Sequence, residues 1–223
     1  MVSNQQIMSD IRLVMETGHK LELMNIFQGI PFICKATVTQ IEGEVVSLET
    51  RDSTILCLKG QEETRVLGSD YFEPSLARVI SVDIPTGVIN LDNFVYSETK
   101  LGDRTLIRVK PTEDIQVQIE GASHRALGHL MDISLSGLGV QILEKDFHDS
   151  FIKGSDIQIT LQLPEGKVNC NGMITKVDRF NQDYRLSIRF SPDIADRPTI
   201  FRYLIDRRKE IEEEVEKRYL DAM

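Results

Sequence analysis

The residues best suited to chemistry in this chain are two arginines and one short polar segment. Arg104 and Arg108 stand four positions apart in a stretch, residues 97–108, that shows neither helical nor strand periodicity. Two guanidinium groups so spaced can reach one ligand from the same side if the chain turns there. Each offers a rigid fork of donors that fits a phosphate or the O6 and N7 edge of guanine, and each can stack on a purine face. The second group lies in Asp132-Ile133-Ser134-Leu135-Ser136-Gly137. Asp132 can accept from a guanine N–H or hold an arginine in place. Ser134 supplies a small hydroxyl, and Gly137 lets the backbone turn or approach a ligand closely. Taken singly, each pattern is common, and Asp-x-Ser-x-x-Gly is also a good turn sequence.

Nothing else nominates catalysis. His19, His124, His129 and His148 fit no HExxH pattern, and Cys34, Cys57 and Cys170 form no CxxC hook, so no metal site is expected. Three scattered cysteines make no disulfide framework and read as reduced, packed thiols. There is no GxSxG elbow, no P-loop and no GxGxxG after a strand. The Gly137-Leu138-Gly139 pair reads as a tight turn or bulge between strands. The 26 Lys and Arg against 35 Asp and Glu give a net charge of −9. That argues against a broad cationic surface for duplex DNA or anionic lipid, but not against one local cationic pocket. The first 30 residues lack a secretory signal. No apolar stretch approaches the ~20 residues needed to cross a bilayer, so the cytoplasm is the expected compartment.

The elements that must position these groups fall into two parts. With 223 residues, 41% hydrophobic and 27% charged, the chain is long enough for two small globular domains. A helix is expected over 3–17, with Ser3 and Gln6 as a capping box, Ile7, Ile11, Val14 and Met15 on one face, and Gly18 as its stop. From Pro31 the period becomes two. Short β-branched runs around Ala36–Val38, Val45–Leu48, Ile55–Leu58, Ala77–Val82 and Val88–Leu91 predict a small antiparallel β domain over 1–98. After the linker, six further runs follow: 115–119, 127–133, 139–143, 157–163, 168–177 and 184–190. Six short strands with no long helices between them predict a closed or nearly closed antiparallel barrel. Residues 196–220 then predict a helix whose stripe of Ile200, Leu204, Ile211, Val215 and Tyr219 closes one end of that barrel. This helix and the N-terminal barrel are the two candidate surfaces for a homodimer contact. A faint similarity at an offset of 95, Val79-x-x-Val82-Asp83 with Ile174-x-x-Val177-Asp178, is consistent with two similar barrels in tandem.

Together and in this order, the two polar groups resemble the PilZ domain family, over roughly residues 101–220. That family carries an Arg-x-x-x-Arg motif on an N-terminal loop and an Asp/Asn-x-Ser-x-x-Gly motif on the first barrel strands. Arg104 and Arg108 correspond to the first, and Asp132, Ser134 and Gly137 to the second. The resemblance implies a mainly β protein with two antiparallel barrels, 1–98 and 99–223. The second is a six-stranded PilZ barrel with a C-terminal helix, in a layout like that of flagellar-brake proteins. It implies a receptor for the bacterial second messenger cyclic di-GMP and no enzyme. Many members carry an arginine immediately before the first motif. This chain has Asp103 there, which implies one ligand per site rather than an intercalated pair. The expected output is regulation of a downstream protein of motility, biofilm or exopolysaccharide production. Two other readings are a PilZ-fold adaptor that no longer senses the nucleotide and a barrel that binds single-stranded nucleic acid. The absence of any Trp and the charge of −9 weigh against the latter.

Overall fold

The computed structural model describes residues 4–67, 72–97, 107–122, 124–190 and 196–223. Ser3, Asp103, Arg104 and most of the 97–108 linker lie outside these residues. By packing, the chain divides into two compact units. One comprises Met1–Phe27, Pro31–Arg104 and Ile211–Met223, and the other Gln28–Ile30 and Thr105–Glu210.

The first unit begins with helix α1 (Asn4–Thr17), which buries Ile7, Met8, Ile11 and Val14. Met15, expected on that face, is 39% exposed, while Met8, not in the expected set, is buried. The helix ends as its sequence requires. Gly18 has φ +70, and the Gly18 and His19 amides return to the carbonyls of Met15 and Val14. Six strands follow: β1 (Lys20–Phe27), β2 (Ile30–Glu42), β3 (Val45–Glu49), β4 (Glu63–Val66), β5 (Ser75–Asp83) and β6 (Val88–Tyr96). They close into a barrel in the order β1-β2-β3-β6-β5-β4, around Leu23, Ala36, Val46, Leu48, Ile89 and Leu91. The Ile55–Leu58 run is not a strand. Asp52 accepts the Thr54 amide and starts a 3-10 helix over Ser53–Leu58, which buries Ile55, Cys57 and Leu58. A local carboxylate cap here overrides β-branched propensity.

The second unit holds β7 (Gln116–Glu120), β8 (Arg125–Ser134), β9 (Gly137–Ile142), β10 (Asp156–Leu163), β11 (Gly166–Phe180) and β12 (Asp183–Phe190). All six predicted runs are strands, and they close as β7-β8-β9-β12-β11-β10. Helix α2 (Arg197–Ala222) follows and buries Ile200, Tyr203, Leu204, Arg207, Ile211 and Val215. The stripe does not serve one barrel throughout. Ile211–Met223 clusters with the first unit, and Tyr219 and Ala222 pack against that unit's core.

Taken each by itself, the two barrels repeat one plan. The ring orders are identical when strand numbers are raised by six. The ladders are interrupted at matching points: Val38/Gln40 in β2 matches Leu130/Asp132 in β8, and Val79/Ser81 in β5 matches Ile174/Lys176 in β11. The latter pair is separated by the offset of 95 seen in the sequence.

Candidate functional site

The site is built on the outer surface of the second barrel, where a bulge decides which way Asp132 points. Along β8, Ala126, Gly128 and Leu130 face inward, and continued alternation would send Asp132 into the core. The register slips between Leu130 and Asp132. One extra residue restores Ile133 to the interior, fully buried, and turns Asp132 outward.

The strand beyond β8 leaves room for that carboxylate. Asp132 is paired with Gly139 on β9, and a Cβ at Gly139 would stand 2.9 Å from Asp132 Oδ2. With no side chain there, the carboxylate lies across β9 toward β12, and Arg185 Nη2 donates to Oδ2 at 2.6 Å. On the other side Arg108 Nη1 donates to Oδ1 at 3.0 Å. Arg108 is brought there by its neighbour. Val109, fully buried, exchanges two backbone hydrogen bonds with Ile133, at 2.9 and 3.0 Å. The segment after the linker is thus laid beside β8, one residue from Asp132.

The rest of the second motif makes the turn. Ser134 is buried at 1% exposure and donates to the Gly137 carbonyl at 3.0 Å, while its Oγ accepts from the Ser136 amide at 3.4 Å. Its hydroxyl is committed to the β8–β9 connection. Gly137 admits a close approach, since a Cβ there would stand 2.6 Å from the Ile188 carbonyl oxygen on β12. Gly137 and Gly139 therefore lie in β9, where they flatten the outer face; the bulge expected of them is on β8 instead. Arg189, exposed and opposite Gly137 in the β9–β12 ladder, adds another guanidinium to this face.

Of the five site residues read from the sequence, Arg108, Asp132, Ser134 and Gly137 come together here, and Arg104 lies outside the described residues. Arg185 and Gly139 were missed. Arg185 carries no local signal, being 53 residues from Asp132, and only the ladder from β9 to β12 makes them neighbours. Gly139 was visible in Gly137-Leu138-Gly139 but not its purpose. The arrangement holds two guanidinium groups by one carboxylate. The Arg185 Nε is buried with no partner in the structure. Among the described residues no cluster of three His, Cys, Asp or Glu side chains could hold a metal ion. No helix among them is long and apolar enough to cross a membrane.

The fold and this face define a closed six-stranded barrel bearing a cationic surface organised by one carboxylate. Residues 103–206 match the PilZ domain family, and this part of the chain is a PilZ domain. No curated protein matches the chain. Among solved structures it is similar to the K. pneumonia MrkH–c-di-GMP complex, with 14% identity, 96% of this chain and 98% of that chain covered, and a TM-score of 0.51. It also aligns with YcgR from Escherichia coli in complex with c-di-GMP, at 16% identity, 97% and 95% coverage and a TM-score of 0.46. The Bacillus subtilis inhibitor of motility MotI/DgrA aligns at 15% identity, with 86% and 97% coverage and a TM-score of 0.45. The first of these likenesses extends the agreement in fold to both units.

Proposed function

We propose that the chain is a non-enzymatic cyclic di-GMP receptor of the cytoplasm. One observation carries the reading: Arg108 and Asp132, 24 residues apart in the sequence, form an ion pair on the outside of the PilZ barrel, with Arg185 on the second carboxylate oxygen. Cyclic di-GMP carries two phosphates and two guanines. Arg108 and Arg104 meet a phosphate and a guanine edge, the flat Gly137–Gly139 strand lets the ligand approach the backbone, and Asp132 fixes the arginines. Asp103 disfavours a second nucleotide, so one ligand binds per site.

The residues that precede Arg108 link the parts proposed as functional divisions, 1–98 and 99–223, although packing crosses that boundary at Gln28–Ile30 and Ile211–Met223. Closing the arginine segment over the ligand shifts the population between two arrangements of these parts. The shift is limited by the ligand's differential affinity for them. A downstream protein of motility, biofilm or polysaccharide production reads the result. Calorimetric titration with cyclic di-GMP, with GTP as control, tests this. Micromolar or tighter binding near one ligand per chain supports it. No binding by folded protein moves the chain to the adaptor reading.

A further inference from the structure

We propose that Arg207 is a positioning residue for the nucleotide site, holding the backbone that carries Arg108 and passing its state to helix α2. The inference rests on the receptor reading above. Arg207 is 6% exposed, an unusual place for a guanidinium, because burying a charge is unfavourable unless its donors are used. They are used on three different segments, all within the second unit. Nε donates to the Lys110 carbonyl at 2.8 Å, Nη1 to Glu210 at 2.9 Å, and Nη2 to the Gln28 side chain at 2.6 Å.

Lys110 is two residues from Arg108, and Val109 between them is locked to Ile133, the neighbour of Asp132. The segment is thus gripped at consecutive points: Arg108 by Asp132, Val109 by β8, Lys110 by Arg207. A fourth grip follows, where the Thr112 hydroxyl donates to the same Glu210 carboxylate at 3.4 Å. The Arg108 carbonyl is packed against Gly29, at φ +91, where any Cβ would collide with that oxygen. With Arg108, Val109, Lys110 and Thr112 each held, a change in the Arg108 backbone is carried to the Lys110 carbonyl. That carbonyl is the acceptor which Arg207 reads. Glu210, one turn further along α2, is tied to the same guanidinium, so the helix feels the displacement directly.

A merely structural arginine would lower stability without changing the response to ligand. The test therefore measures both in the full chain. Cyclic di-GMP affinity is determined by calorimetry, and amide hydrogen exchange with and without ligand is followed over residues 107–112 and 203–215. In the wild-type protein, ligand is expected to slow exchange in both segments. Arg207→Lys keeps the charge but not the fork, and is expected to weaken binding about tenfold, the loss of one charge-assisted hydrogen bond. Ligand should then still protect 107–112 but no longer 203–215. Gln28→Ala, which removes one acceptor and no charge, should give the same exchange signature with a smaller affinity loss, and stands in if Arg207→Lys does not fold. Wild-type binding with no protection of 203–215, or variants that keep that protection, overturns the proposal while leaving the receptor reading in place. Failure of the wild-type protein to bind removes the receptor reading and this proposal with it.

Discussion

Arg185→Ala is the sharpest perturbation of the site, because no motif marks Arg185 and its role follows from geometry alone. Its Nη2 stands 2.6 Å from Asp132 Oδ2, with side-chain exposures of 35% and 13%. Two unit charges ~4 Å apart at an effective dielectric constant near 20 attract by about 4 kcal/mol. Desolvation and side-chain ordering offset most of that, and hydrogen bonds to charged groups retain about 1.5–3 kcal/mol. Arg185 is a third exposed, so solvent screening brings the expected loss of stability down to about 1 kcal/mol. For a unit of this size that lowers Tm by about 3–6 °C, measurable by circular dichroism. Asp132 then keeps Arg108 as its one partner and is free to follow it. The Kd for cyclic di-GMP should rise by about 10–100-fold, corresponding to one or two charged hydrogen bonds. Arg185→Lys, a point charge without the fork, should fall between wild type and Ala. A variant Arg185→Ala that melts and binds within error of wild type would refute the reasoning that Asp132 is organised by both arginines.

Other predictions follow from single contacts. Arg104→Ala and Arg108→Ala should each remove most cyclic di-GMP binding while the barrel's circular dichroism stays native; near-native affinity in both would sink the site assignment. Gly139→Ala places a Cβ 2.9 Å from a side-chain carboxylate, so it should weaken binding by displacing Asp132 with little effect on folding. Gly137→Ala meets the Ile188 backbone oxygen at 2.6 Å and should lower unfolding free energy in urea by about 1–3 kcal/mol. Burial pushes the Cys34 thiol up to about 11 and the Cys57 thiol up to about 12. Their unfolded counterparts ionise near 9.0, the ordinary value for a thiol here, so above that pH the unfolded chain sheds protons the native chain keeps. Both thiols should therefore resist a thiol-specific reagent at pH 8 until denaturant is added, and their contribution to stability should fall as pH rises from 9 toward 11. Rapid labelling of native protein at pH 8 would contradict this.

What the sequence determined by itself is what lies along the chain. Period-two runs located all six strands of the second barrel, and Gly18 marked the end of α1 with a left-handed cap. Both signals are local, because alternation and a positive φ act within a few residues. The paired motifs likewise nominated Arg108, Asp132, Ser134 and Gly137. Arg207 lies at helical spacing between Leu204 and Ile211, but a charged residue there carries no sequence signal of burial and stands outside the apolar stripe. What only the tertiary structure decided was which side chains share a face. A single extra residue in β8 reverses the direction of Asp132. The ladder order β8-β9-β12 sets Arg185 across a bare glycine from it, and the Val109–Ile133 bridge sets Arg108 on its other side. Asp52 converts a β-branched run into a 3-10 helix. These outcomes depend on register and on partners tens of residues away, where spacing along the chain carries no information about distance in space.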